Sequence, residues 1–119
     1  MSRKLVSIVA AELTSICTVT SAQTIKIGLT GTFTGPNASN GIPYRNAAEI
    51  FPSTMGGAPV EWIVLDDGGD ATNAMKNARR FVDVDKVDAI VGSTSTPTTM
   101  TLFDLANASK TMQFAMSPV

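Results

Sequence analysis

Hydroxyl and amide side chains crowd into two short stretches of this sequence. The stretch 31–41 supplies Thr32, Thr34, Asn37, Ser39 and Asn40, and the stretch 93–96 is an unbroken run of serine and threonine. The chain has no histidine, and neither stretch contains a lysine. Hydroxyls suit hydrogen bonding, but they titrate too far from neutral pH to be good acid–base catalysts. The two stretches therefore predict a binding site with no catalytic residue.

Two adjacent carboxylates, Asp66 and Asp67, stand before Gly68-Gly69. Such a pair could hold magnesium or accept a phosphoryl group, as in a flavodoxin-like or receiver-like domain, and we keep that as an alternative. An aspartate pair before two glycines is more typical of turns and helix caps. Without histidine, and with Cys17 as the single cysteine, no zinc ligand set or Ser/His or Cys/His pair can be drawn. We predict no metal site, no cofactor and no enzymatic activity.

Composition places the chain among ordinary folded domains. Its 119 residues are 44% hydrophobic and 16% charged, which is too apolar for intrinsic disorder and long enough for one domain at most. The formal net charge is −1. Because the sequence shows no basic stripe, we do not expect nucleic acid as a partner.

The N-terminus has the layout of a secretory signal peptide. Arg3 and Lys4 precede an apolar region that leads to the small residues Thr20-Ser21-Ala22. This pattern predicts cleavage after Ala22, giving a signal peptide over 1–22 and a binding domain over 23–119. Glu12 interrupts the apolar region and opposes its insertion. No apolar stretch of membrane-spanning length follows, so we expect no membrane insertion after cleavage.

Four short apolar runs predict β-strands, over 24–30, 60–65, 87–91 and 111–116. Helical patterns separate them, so the predicted order is β-α-β-α-β-α-β. Unbroken apolar strands are usually buried on both faces, which predicts an α/β fold with an open parallel sheet and flanking helices. Right-handed crossovers then place every strand-to-helix loop at one edge of the sheet, where ligands of such sheets bind. Helix N-termini at that edge favour an anion.

Three helices are predicted. The first is short, over 44–51, and stops at Pro52; the third begins at Pro97 with Thr96 as its N-cap. The second follows Asp70, its predicted cap, and carries the apolar stripe Ala71, Ala74, Met75, Ala78, Phe81 and Val82. Its polar residues are predicted to face outward: Lys76, Asn77, Arg79, Arg80 and Asp83. Met75, Met100 and Met112 are interpreted as packing residues.

Several motifs occur in a recognisable order. They are Ile25–Gly28, the loop Gly31-Thr32-Phe33-Thr34-Gly35-Pro36, the segment 64–70 (VLDDGGD), the helical segment 73–78 (NAMKNA), the segment 87–93 (VDAIVGS) and the ending 114–118 (FAMSP). Together they resemble the type I periplasmic solute-binding proteins of branched-chain amino-acid ABC transporters. The resemblance covers nearly all of the chain after Ala22.

The resemblance implies a periplasmic receptor that closes two lobes on an amino acid or a similar carboxylate and delivers it to a membrane permease. It implies that this chain is part of the first lobe, and that the ligand contacts of that lobe come from three places. These are Ser39 and Asn40, then Ser95 and Thr96, and finally Ser117. A ligand-sensing receptor or regulator with the same architecture is the alternative. Since a second lobe would supply the remaining contacts, part of one lobe should bind weakly by itself.

Overall fold

A computed structural model describes residues 21–118 of the chain. The predicted signal peptide lies almost entirely outside the described residues, and it stays a prediction. Within 21–118, every helix is too short or too polar to cross a bilayer.

Five strands and three α-helices make up the described structure. The strands are β1 (Ile25–Gly31), β2 (Thr54–Met55), β3 (Ala58–Asp66), β4 (Ala89–Val91) and β5 (Met112–Phe114). The helices are α1 (Ile42–Ala48), α2 (Ala71–Arg79) and α3 (Thr96–Ser109). A 3-10 turn at Ala38–Asn40 precedes α1, and a π-helical segment, Arg80–Asp85, continues α2.

The strands form one sheet in the order β2-β3-β1-β4-β5. The four longer strands are parallel: β1 lies between β3 and β4, and β5 pairs with the far side of β4. The predicted α/β fold with an open parallel sheet is therefore confirmed. Because the chain passes from β3 across β1 to β4, the sheet has a switch point beside β1, which is where open α/β sheets bind ligands.

The small strand β2 was not predicted. The sequence reads as a simple turn over 55–59, yet Thr54 and Met55 pair antiparallel with the first two residues of β3. Gly56 and Gly57 connect them with φ of 55° and 83°. Two-residue hairpins with a type I′ turn require positive φ at both central residues, which glycine adopts without steric cost. The result is a short antiparallel edge beside β3.

The core lies between the sheet and the helices α2 and α3. Ala74, Ala78 and Phe81 of the predicted stripe are fully buried, together with Ile90 and Leu102. Ile63 and Leu65 of β3 pack against this cluster. Trp62 and Val64, which alternate with them along the strand, instead border a cavity lined by Arg45, Ala48 and Glu49 of the α1 region. Alternation along β3 therefore places α1 on the opposite face of the sheet from α2 and α3.

Two expectations about side-chain direction are wrong. Asn77 does not face solvent: its amide donates to Thr30 Oγ1 (3.1 Å) and to the carbonyl of Asp66 (2.9 Å). Its position, three residues after Ala74 and four before Phe81, lies on the buried face of α2. Met100 and Met112 are exposed rather than packed, whereas Met75 is half-buried.

Candidate functional site

The candidate site is the edge of the sheet where the parallel strands end. β1 ends at Gly31, β3 at Asp66, β4 at Val91 and β5 at Phe114. Polar segments follow the first three of these strands, and β5 leads through two apolar residues to Ser117. The first loop, the aspartate turn and the hydroxyl run at 93–96 therefore share one edge, as the parallel arrangement predicts. We call this edge the polar edge.

Asp66 secures the loop after β1. Its carboxylate accepts from the backbone N–H of Phe33 (2.8 Å) and of Gly68 (2.9 Å), and from the hydroxyl of Thr34 (2.5 Å). Burial pushes the pKa of Asp66 upward, but the Thr34 hydroxyl and the backbone N–H groups of Gly68, Phe33 and Thr34 outweigh it. The net effect lowers the pKa of Asp66 below its ordinary value of 3.8.

Asp67 is fully buried beneath the polar edge. Its Oδ1 accepts from the hydroxyl of Thr32 and the N–H of Gly69, both at 2.9 Å. Its Oδ2 accepts from the hydroxyls of Ser93 (2.5 Å) and Thr30 (3.3 Å). One carboxylate therefore joins the ends of β1 and β4 to the turn that follows β3.

These contacts support the interpretation of the aspartate pair as turn chemistry. All four carboxylate oxygens of Asp66 and Asp67 already accept hydrogen bonds from neighbouring loops. Across residues 21–118, no group of three or more His, Cys, Asp or Glu side chains is placed to hold a metal ion. The next acidic residue, Asp70, caps α2 as predicted, accepting from the N–H of Asn73 at 2.9 Å.

The start of α3 differs from its prediction by one residue. Thr96 is the first residue of the helix, Pro97 the second, and the N-cap is Ser95 in an extended conformation. The Ser95 hydroxyl lies 2.7 Å from that of Thr98 and makes no capping bond to the backbone. Thr96 already belongs to the helix, and its hydroxyl donates to the carbonyl of Pro118 at 2.7 Å.

Ser117 lies beside the same helix start. Its hydroxyl is 2.9 Å from that of Thr99, which also donates to the carbonyl of Ser93 at 2.9 Å. The structure therefore brings three of the five residues named from the resemblance, Ser95, Thr96 and Ser117, to the first turn of α3. Ser95 and Ser117 are half-buried, and Thr96 is exposed. We call these three residues the α3 cluster.

Ser39 and Asn40 lie in the loop after β1, in the 3-10 turn before α1. Both are exposed. The next residue, Gly41, packs so closely on the β1–α1 loop that a methyl group there would overlap the carbonyl of Thr32. That contact holds the turn at the end of β1. None of the hydrogen bonds within residues 21–118 links Ser39 or Asn40 to the α3 cluster, so only their common edge relates them.

Two residues that contribute to the polar edge were not predicted from the sequence. Thr99 connects Ser93 to Ser117, and Asn77 reaches Thr30 from α2. The spacing of each residue could have indicated its position: Thr99 follows Thr96 by one helical turn, and Asn77 falls within the apolar stripe of α2. A polar residue on a buried helical face needs a hydrogen-bond partner, which such spacing could have suggested.

Two cavities lie near the site and do not include the α3 cluster. One, of about 460 Å³, lies between α2 and α3 and is lined by Ala71, Thr72, Met75, Lys76, Arg79 and Thr101. A second, of about 380 Å³, borders the β1–α1 loop and includes Phe33, Thr34 and Asp66. Neither cavity includes Ser95, Thr96 or Ser117, so a ligand held by the α3 cluster needs a facing surface to become enclosed.

Comparison with known proteins identifies the family to which this fold and its polar edge belong. A family model described as periplasmic binding protein matches residues 24–118. The chain belongs to the periplasmic binding protein family. That family binds solutes, in agreement with the hydroxyl and amide side chains of the polar edge, and membership in it favours the binding interpretation over the receiver-like alternative. No curated protein matches the chain.

Solved structures agree with the family assignment. An extracellular ligand-binding receptor from Rhodopseudomonas palustris HaA2 is 48% identical, with a TM-score of 0.78 over 81% of this chain. An ABC-transporter solute-binding protein from Rhodopseudomonas palustris BisB5, in complex with 3,4-dihydroxybenzoic acid, is 30% identical, with a TM-score of 0.74 over 79% of this chain. A possible leucine/isoleucine/valine-binding protein from Rhodopirellula baltica is 29% identical, with a TM-score of 0.67 over 84%.

The chain spans only about a quarter of these relatives. It covers 27% of the first two and 29% of the third. The matched part corresponds to a partial lobe, as the resemblance implies.

Proposed function

We propose that residues 23–119 form part of the first ligand-binding lobe of an ABC-transporter substrate-binding protein. The protein captures a small carboxylate-bearing solute, such as a branched-chain amino acid, in the periplasm and delivers it to a membrane permease. Family membership and the solute-binding relatives support this role. The predicted signal peptide over 1–22 supports the location.

The observation that carries the proposal is the α3 cluster. Ser95, Thr96 and Ser117 surround the first turn of α3, where the earliest backbone N–H groups have no acceptor in their own helix. The helix dipole adds partial positive charge at this end. Hydroxyls and free N–H groups together suit a carboxylate, which accepts hydrogen bonds through both oxygens.

The bound ligand of one relative and the name of another fit this chemistry. 3,4-Dihydroxybenzoic acid, bound by the Rhodopseudomonas palustris BisB5 protein, is a carboxylic acid, and so is each amino acid in the name of the Rhodopirellula baltica protein. The shared group is the carboxylate, so we assign it to the α3 cluster. We assign Ser39 and Asn40, in the loop after β1, to another part of the solute.

Calorimetry on the complete reading frame that contains this chain tests the proposal. The probes are L-leucine and 3,4-dihydroxybenzoate, with benzyl alcohol as the control that lacks a carboxylate. We expect saturable binding of at least one carboxylate probe and none of the alcohol. Binding of neither carboxylate, or equal binding of the alcohol, would contradict the proposed function.

A pair of serine substitutions locates the carboxylate. A hydrogen bond to a charged group contributes roughly 1.5–3 kcal/mol, so Ser95→Ala should weaken binding by roughly tenfold or more. Ser109→Ala is the matched control, because Ser109 is the last residue of the same helix, at its opposite end. We expect the control to leave the dissociation constant unchanged. Equal effects of the two substitutions would remove the α3 cluster from the site.

A further inference from the structure

Asp67 is a buried carboxylate without a cationic partner among the described residues. The ion pairs within 21–118 join Lys26 to Glu61 and Arg80 to Asp85, and neither involves Asp67. Burying a charge is costly unless the surroundings compensate for the lost water. Here the compensation comes from three hydroxyls and one backbone N–H. An apolar residue of similar size would have filled the same space without the cost of burying a charge. The carboxylate therefore has a role as a hydrogen-bond acceptor.

The four donors belong to three separate segments of the polar edge. Thr30 and Thr32 stand at the end of β1, Gly69 in the turn after β3, and Ser93 in the turn between β4 and α3. An ionised carboxylate can only accept, so each of the three hydroxyls must point its proton at Asp67. The carboxylate thereby fixes the hydroxyl rotors and the spacing between the segments.

A chain of contacts runs from Asp67 to the α3 cluster. Ser93 donates to Asp67, and its carbonyl accepts from Thr99, which touches Ser117. In the neighbouring residue, the hydroxyl of Thr94 accepts from the N–H of Thr32 at 3.0 Å. Ser95 follows directly in the sequence. The position of the α3 cluster relative to β1 therefore depends on the group that holds Ser93.

We propose that Asp67 is a positioning residue for ligand binding, acting through Ser93 on Ser95, Thr96 and Ser117. This inference rests on the proposed function, because it assigns those three residues to the ligand. Asparagine at position 67 keeps the shape of the side chain but replaces one acceptor oxygen with a donor. At least one of the hydroxyls then loses its acceptor, and the turn over 93–96 loses a fixed position.

The test compares Asp67→Asn with Asp70→Asn in the complete reading frame. Asp70 undergoes the same chemical change three residues away, and asparagine preserves its role as a helix cap. Binding of whichever probe, L-leucine or 3,4-dihydroxybenzoate, the unmodified protein takes up is measured by calorimetry, below the unfolding temperature of each variant. We expect Asp67→Asn to weaken binding about tenfold, equivalent to about 1.4 kcal/mol, and Asp70→Asn to leave it within about twofold.

A double-mutant cycle separates positioning from a purely structural effect. If Asp67 acts through the α3 cluster, Ser95→Ala costs less affinity in the Asp67→Asn background than in the unmodified protein. A lower melting temperature with an unchanged dissociation constant, or strictly additive losses, would overturn the inference. If Asp67→Asn does not fold, Ser93→Ala removes the same link from its other end and must weaken binding. Failure of the unmodified protein to bind either probe overturns the proposed function, and the inference with it.

Discussion

At the scale of single residues, the two adjacent aspartates stabilise different parts of the polar edge. Asp66 is exposed and holds the loop after β1, whereas Asp67 is buried and joins three segments. The difference follows from strand alternation, because successive residues at the end of β3 point to opposite sides. Identical side chains one residue apart therefore experience different solvation and have different partners.

The lowered pKa of Asp66 predicts a pH-dependent contribution to stability. A carboxyl group whose pKa is lower in the folded state stabilises the fold above its ordinary value of 3.8, and that contribution is lost as the pH falls through the lower, folded value. The Thr34 hydroxyl is one of its causes. We therefore expect Thr34→Ala to move the pKa of Asp66 upward, as measured by NMR titration of its carboxyl carbon.

Unfolding by urea provides the companion measurement. Between about pH 6 and about pH 3, the unmodified protein should lose more stability than Asp66→Asn, which has no carboxyl group to protonate at this position. Thr72→Ala is the control for the NMR titration, because Thr72 is exposed on α2 and is not among the hydrogen-bond partners of the Asp66 carboxylate. An Asp66 pKa that is the same in Thr34→Ala and in the unmodified protein would refute this assignment.

At the scale of elements, the sequence was informative wherever periodicity or composition decides the structure. The four parallel strands and the buried stripe of α2 follow from apolar runs and helical spacing, and both were predicted. The hairpin that forms β2 was missed because it needs only two residues per strand, too few to show alternation. The N-cap of α3 was misplaced by one residue because serine and threonine are both common N-caps, so residue type does not distinguish Ser95 from Thr96.

The polar edge was predicted in outline and not in detail. Parallel topology alone brings Ser39, Asn40, Ser95, Thr96 and Ser117 to one edge, so a sequence argument can reach them. The partners that fix this edge cannot be reached in that way, since the contacts of Asp67 with Thr30 and Ser93 span 37 and 26 residues. Contacts between residues so far apart in the sequence leave no local pattern from which they could be predicted.

The N-cap of α2 offers a prediction at the level of an element. Asp70 accepts from the N–H of Asn73, and loss of such a cap typically costs about 1 kcal/mol. Asp70→Ala should therefore lower the free energy of unfolding by about that amount, measured with urea. Asp70→Asn is the matched control and should retain most of the stability, because asparagine caps as well as aspartate. Equal losses in both variants would show that charge at the helix start, not the cap, is what matters.

At the scale of the whole molecule, the two faces of the sheet are covered unequally near β5. Ile90 faces α2 and α3 and is fully buried. Its neighbours Ala89 and Val91 face the other way, and their strand partners Met112 and Phe114 are 62% and 53% exposed. These four residues form an apolar patch beside an edge strand, on the face opposite α2 and α3. Contiguous apolar patches bind apolar molecules more readily than isolated exposed side chains do.

Residues 23–119 produced alone should therefore bind a hydrophobic fluorescent dye through this patch. Phe114→Ser should reduce the dye fluorescence clearly, since it removes the largest side chain from a continuous surface. Ile50→Ser is the control, because Ile50 is 85% exposed but stands apart, on the segment after α1. If the two substitutions reduce the fluorescence equally, dye binding reports general exposure and not the patch. A larger loss with Phe114→Ser would show that the dye binds at the β5 patch.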